Sequence, residues 1–261
     1  MELKNELEQL RQAYKDDPSQ ETFNSLILGE SGTGKTFLAR TCRLPIHIDS
    51  FDPGGTKCLQ DLIARGDVIP DTLYEHEDPL KPTMFVEWKR RFEDRVRSSY
   101  FNNFGTYFLD SATTWSSAIM NKQLDKNSRA GTAPKFTKDY TPQKAEIRNW
   151  LTKILQLPCD VIVTGHLKLI EDPIRGHIFR FLTTGDGTVV IPLLFDEIYV
   201  TTAKEVGGKV EYSLITNHTE HYFARSRLAG SFGLDLYMDP NIKAILKKTG
   251  HNYQDKPRLE F

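Results

Sequence analysis

One run, Gly29-Glu30-Ser31-Gly32-Thr33-Gly34-Lys35-Thr36, constrains this chain more than any other feature. It has the pattern G-x4-G-K-[ST], whose small residues let successive backbone N–H groups turn toward a phosphate. Residues 23–28 before it are an apolar strand pattern, and residues 36–43 after it predict a helix. A phosphate-cradling loop needs strand, glycine loop and helix in that order, the helix N-terminus adding a favourable dipole. Every residue from Gly29 to Thr36 is thus a candidate for triphosphate contact. Lys35 is expected at the β- and γ-phosphates, and the Thr36 hydroxyl on Mg²⁺.

Such a site also needs a carboxylate at the end of a neighbouring strand. Asp110, closing the strand pattern Thr106-Tyr107-Phe108-Leu109, meets that need and is the second expected Mg²⁺ residue. Hydrolysis requires a further group to orient or deprotonate water. Ser111, not a glutamate, follows Asp110, so the base comes from another strand. The apolar Pro45-Ile46-His47-Ile48 run ends at Asp49, with Asp52 in the Gly/Pro turn beyond it, and both acids are candidates. At the end of Val161-Ile162-Val163-Thr164, His166 is a candidate γ-phosphate sensor, with Thr164 as the other choice.

The remaining pattern is α/β with a mostly parallel sheet. Residues 84–100 read as an amphipathic helix, 141–157 as a helix begun by Thr141-Pro142, and 121–140 as a long aperiodic polar stretch. From His177 the pattern turns to strands at 178–183, 189–191, 197–202 and 210–216, the last two joined through Gly207-Gly208. A helix to about residue 248 follows Asp239-Pro240. This organisation predicts an N-terminal helical appendage at 1–20, an ATPase core at 21–230 and a C-terminal tail with a short helix at 231–261.

Of the 261 residues, 39% are hydrophobic and 26% charged, which suits one domain with a sizeable core. No apolar run approaches the roughly 20 residues needed to cross a bilayer, and the charged start is no secretory signal, so a cytoplasmic location and no membrane partner are expected. The three cysteines, Cys42, Cys58 and Cys159, lack metal-ligand spacing and read as free thiols. A formal net charge of −1 means that any nucleic-acid contact must use a local basic surface.

Taken together, the Gly29–Thr36 loop, Ile46-His47-Ile48-Asp49, Tyr107-Phe108-Leu109-Asp110-Ser111 and Val161 to His166 resemble the RecA-like core. The resemblance is to phage-encoded nucleotide-binding ATPases of that group, including those of single-strand annealing and recombination. It spans about residues 23–230 and implies a RecA-like P-loop fold with helices on both sheet faces and an antiparallel C-terminal hairpin. It also implies ATP and Mg²⁺ as ligands, a homo-oligomeric ring or filament, and a companion single-strand-binding or annealing protein. His221 to Gly230 resembles the basic strand end that such proteins place at a subunit interface, making Arg225 or Arg227 the group that reaches the γ-phosphate in trans. RecA-like recombinases usually carry a catalytic Glu two residues beyond the strand-end Asp, where Phe51 stands here.

In that family, loops after the metal-binding and sensor strands line a path for single-stranded DNA. Here the first holds Lys122, Lys126, Arg129, Lys135 and Lys138 with Phe136 and Tyr140, and the second Lys168, Arg175, His177 and Arg180 with Phe179. Alternatives are a DNA-packaging or unwinding motor, a small-molecule kinase and a non-hydrolysing scaffold. A GTPase fits less well, because Asn121-Lys122-Gln123-Leu124-Asp125 has one residue too many for N-K-x-D.

Overall fold

Leu26 and Leu28 turn to one face of a strand and Ile27 to the other, and all three are buried. Apolar residues on both faces mean a strand covered on both sides, the setting of a parallel sheet. The computed structural model describes residues 2–16, 22–173, 176–183, 188, 191–228 and 233–260. Its strands are β1 (Asn24–Gly29), β2 (Ile46–Ser50), β3 (Val68–Asp71), β4 (Thr106–Asp110), β5 (Asp160–Asp172), β6 (Gly176–Phe181), β7 (Glu197–Val206), β8 (Lys209–Ile215), β9 (Arg225–Ser226) and β10 (Tyr237–Met238). The sheet order is β10-β8-β7-β1-β5-β4-β2-β3, with β6 on β5 and β9 on β7. The path from β7 to β3 is parallel throughout, whereas β6, β8, β9 and β10 pair antiparallel. The expected fold class therefore holds: α/β, a mostly parallel sheet with helices on both faces and an antiparallel C-terminal hairpin.

The helices are α1 (Glu2–Lys15), α2 (Gln60–Ala64), α3 (Met84–Arg97), α4 (Ala112–Lys126), α5 (Thr141–Ile154) and α6 (Ile242–Lys248). On one face, α3, α4 and α5 each contribute one of the chain's three tryptophans. Trp88 meets Trp115 at 5.4 Å and Trp150 at 5.2 Å, both edge to face. The opposite face packs Leu38, Leu62, Ile242, Ile245 and Leu246 against Ile27, Ile48, Phe108 and Ile162. α6 thus belongs to the core, although 231–261 reads in sequence as a tail.

Three local expectations change. The segment after the glycine loop is a 3-10 turn, Thr36–Thr41, rather than a helix continuing to residue 43, and a segment so short carries little of the expected dipole. The polar stretch from residue 121 begins inside α4, which buries Ala112, Trp115, Ala118, Ile119 and Leu124 and so lacks a clean polar stripe. The basic segment after β5 is no loop: β5 continues to Asp172 and turns back as β6, with Lys168 opposite Arg180. The strand expected at 189–191 lies mostly outside the described residues.

Candidate functional site

Parallel strands deliver their C-terminal ends to one edge of the sheet, where ligands of such folds bind. Register places Gly29 beside His166 on one side and beside Thr201 on the other, while Ser50 pairs with Asp110. The ends of β1, β5, β4 and β2 thereby bring together residues up to 137 positions apart in sequence. The loop itself needs its glycines. Gly32 and Gly34 have φ of 80° and 89°. A side chain on Gly29 would lie 2.1 Å from the Thr201 hydroxyl and 2.5 Å from that of Thr33. Thr33 donates to the Glu30 carbonyl at 2.8 Å, while Ser31 and Gly32 lie exposed at the tip.

Lys35 is buried and donates to the carbonyls of Gly29 at 3.0 Å and Glu30 at 2.7 Å. Burial lowers its pKa, opposed by the charges of Asp110, Asp52 and Glu30. Thr36 donates to Asp110 Oδ2 at 2.7 Å, and Thr164 donates to Asp110 Oδ1 at 2.5 Å. Burial raises the Asp110 carboxyl, against these two hydrogen bonds that favour its charged form. A side chain on Gly55 would approach Asp110 Oδ2 to 3.0 Å, so that glycine keeps the Thr36–Asp110 pair open. A hydroxyl and a carboxylate are hard oxygen donors that suit Mg²⁺, which dehydrates reluctantly and takes few protein ligands. Among the described residues no group of three or more His, Cys, Asp or Glu could hold a metal by itself.

The two candidate bases separate cleanly. Asp49 is fully buried and receives hydrogen bonds from Trp88 at 2.8 Å, Tyr107 at 2.8 Å and Arg95 at 2.9 Å, with His47 Nε2 at 3.0 Å. Burial opposes its charge, yet His47, Arg95 and Tyr107 outweigh it and bring its pKa to about 2. Asp49 faces the tryptophan side of the sheet with its oxygens saturated, so its candidacy as base is corrected: it is a buried structural anion.

Asp52 instead lies in the turn after β2, next to the end of β4. The backbone N–H groups of Phe51 and Asp52 donate to the Asp110 carbonyl at 2.5 and 3.1 Å, tying the turn to the end of β4. Ser111 donates to Asp52 Oδ1 at 2.9 Å, Thr114 donates to the same oxygen, and His166 Nε2 lies 3.0 Å from Oδ2. Burial works against its ionisation, but the hydrogen bonds from His166, Thr114 and Ser111 prevail and hold it below the usual carboxylate range. Sequence reading missed Glu75, which accepts from Ser50 Oγ at 2.7 Å and from the Gly54 N–H at 2.8 Å and so fixes this turn. It also missed Ser111 and Thr114, although Ser111 at the N-cap of α4 is a residue type that favours that position.

Arg225 and Arg227 sit elsewhere. Arg225 pairs with Ile198 near the start of β7, the end opposite to Thr201 and the loop. Its guanidinium donates to the Phe195 carbonyl at 2.6 Å and the Pro192 carbonyl at 3.4 Å, which makes it a brace within this chain. Arg227 pairs with Asp196 at 2.6 Å and keeps a side chain 57% exposed.

The expected DNA-facing cations are also partly committed. Lys122 pairs with Glu146 at 2.8 Å and Arg129 with buried Asp139 at 2.6 Å. Lys126, Lys135 and Lys138 are exposed and Tyr140 is half-buried. Phe179 stacks on Tyr222 at 4.8 Å. Arg175 and the side chain of Phe136 lie outside the described residues, as do Ala229 and Gly230.

A family model described as "AAA domain" matches residues 22–228. The chain belongs to that AAA domain family. It carries the P-loop of that family on a mostly parallel α/β sheet. No curated protein matches it. Solved structures that it resembles include a KaiC-like protein from the hyperthermophilic archaeon Pyrococcus horikoshii, at 11% identity and a TM-score of 0.41, covering 74% of this chain and 78% of that one. Flagellar accessory protein FlaH from Methanocaldococcus jannaschii is 15% identical with a TM-score of 0.41, covering 80% of this chain and 85% of its own. The three cysteines are free, and no described helix is long and apolar enough to cross a membrane.

Proposed function

We propose that this chain hydrolyses ATP and couples the reaction to single-stranded DNA, as a homo-oligomer of the phage annealing and recombination type. The observation that carries the hydrolytic reading is the gathering of Lys35, Thr36, Asp110, Asp52 and His166 at one edge of the sheet, Thr36 bonded to Asp110 and His166 to Asp52. Thr36 and Asp110 would hold Mg²⁺, which neutralises charge on the phosphate oxygens when bound. Lys35, pre-placed by the Gly29 and Glu30 carbonyls, contributes a cation to the β- and γ-phosphates. Three hydrogen bonds on Asp52 leave a carboxylate lone pair for water. A carboxyl with a depressed pKa is a weak base, so Asp52 acts mainly by orienting the attacking water. His166 fixes the carboxylate plane, and a γ-phosphate signal reaches the β5–β6 hairpin along the same strand.

Support for DNA as partner comes from that hairpin, whose Lys168, His177 and Arg180 lie on strands continuous with the His166 strand end. A neighbouring protomer would present Arg227, the more open of the two arginines. The test is ATPase rate against protein concentration, with and without single-stranded DNA. Stimulation by DNA and a specific activity that rises with concentration are expected. Hydrolysis indifferent to both would refute the DNA and trans-catalysis parts.

A further inference from the structure

On the side of the phosphate loop turned toward β8, a cavity of about 260 Å³ is lined by Thr33, Gly34, Phe37, Leu38, Tyr212 and Pro240. Two of its walls are aromatic and open: Phe37 is 54% exposed and Tyr212 46%. Large rings left in solvent beside a ligand loop carry a hydrophobic cost that a flat ligand would relieve. Tyr212 is held in place by strand pairing with Ala203, and its ring comes to 3.5 Å from where a Gly34 side chain would begin. Arg40 lies over Phe37, its guanidinium carbon 5.2 Å from the ring centroid, which steadies that wall.

The position relative to the sheet gives the cavity its meaning. Strand order runs β8-β7-β1-β5-β4-β2, so the loop after β1 separates two neighbourhoods. Asp110, Asp52 and His166 lie on the β5, β4 and β2 side, where the terminal phosphate would react. Tyr212 lies on the β8 side. A triphosphate with its γ end toward Asp52 would lead its ribose and base out on the Tyr212 side.

The lining is also notable for its chemistry. Among the described residues, no charged or amide side chain lines the cavity. The Thr33 hydroxyl is already engaged by the Glu30 carbonyl and lies 2.7 Å from the Thr201 hydroxyl. Stacking on an aromatic ring tolerates any base, whereas discrimination needs polar groups that pair with base edges.

We infer that Tyr212 and Phe37 hold the nucleotide base by stacking, in a slot that does not read base edges, so that purine triphosphates other than ATP are accepted. This rests on residues 29–36 being a triphosphate site. The experiment is calorimetric titration of the full chain with the non-hydrolysable imido analogues of ATP and GTP and with inorganic tripolyphosphate, each with Mg²⁺. The two analogues should bind within about tenfold of one another. Tyr212→Ala and Phe37→Ala should each weaken both analogues about tenfold while leaving tripolyphosphate affinity unchanged, and Tyr212→Phe should behave as the parent. Thermal melts followed by circular dichroism establish that each variant is folded.

An ATP analogue preferred by more than about a hundredfold over the GTP analogue would overturn the inference, since stacking alone cannot discriminate so strongly. Equal loss of analogue and tripolyphosphate affinity in Tyr212→Ala would also overturn it, making Tyr212 a support of the loop. If tripolyphosphate binds but the analogues bind no tighter, the base slot fails and the phosphate site stands. If none of the three binds, the triphosphate reading itself fails.

Discussion

His166 Nε2 lies 3.0 Å from Asp52 Oδ2, joining the middle of β5 to the turn after β2 across 114 residues. That contact helps to keep the Asp52 carboxyl below its ordinary range. His166→Ala removes it, so the Asp52 pKa rises and the ionised form is lost at higher pH. Turnover should fall about tenfold or more, and the acid limb of the pH profile of kcat/KM should move upward. A variant with reduced rate but an unmoved acid limb would mean that His166 does not act through Asp52.

Thr164 donates to Asp110 Oδ1 while Thr36 donates to Oδ2, so each oxygen of the buried carboxylate is oriented by its own hydroxyl. Thr164→Val deletes one donor at nearly constant shape. The Mg²⁺ concentration for half-maximal turnover should rise about tenfold, the usual cost of losing an outer-shell partner. Titration of activity against Mg²⁺ measures it.

Asp49 predicts a stability phenotype. It is fully buried against Arg95, His47, Tyr107 and Trp88. Asp49→Asn leaves Arg95 partly uncompensated and should cost about 3 kcal/mol or more in urea unfolding, as removal of one partner of a buried pair does. An unchanged unfolding midpoint would contradict the assignment.

Asp160, beside Arg43 at 3.3 Å under the start of the sheet, predicts the pH response. Burial raises its carboxyl from 3.8 to about 6 in spite of Arg43. Between those values the folded chain holds a proton that the unfolded chain has released. Its contribution to stability is therefore complete below 3.8 and is lost as pH rises through about 6. Melting temperature measured across that window should fall more steeply with rising pH for the parent than for Asp160→Asn.

The glycine loop and Asp110 were legible because the chemistry there depends on residue identity: only glycine tolerates the Gly32 and Gly34 backbone, and only a carboxylate serves at the strand end. The choice between Asp49 and Asp52 was not legible. Both follow an apolar run, and only strand pairing and the β2 turn decide which acid faces the tryptophans and which faces the loop. The helix α4 was hidden by its burial on most sides, which erases the amphipathic period. The Thr114 hydroxyl and the ring of Tyr212 carry no sequence signal because long-range pairing alone brings them to the site, while Thr164, marked in sequence only by its place on the strand, gains its Asp110 partner the same way. The brace role of Arg225 likewise depends on two carbonyls some 30 residues away.

Hydrolysis of ATP at this site, with Asp52 aligning the water, can be measured apart from binding. Phosphate release from ATP, measured beside equilibrium ATP binding for the parent and for Asp52→Asn, tests it most directly. The parent should turn over measurably, and Asp52→Asn should fall about a hundredfold or more with binding retained. A parent that binds ATP without releasing phosphate, or an Asp52→Asn variant as active as the parent, would contradict it.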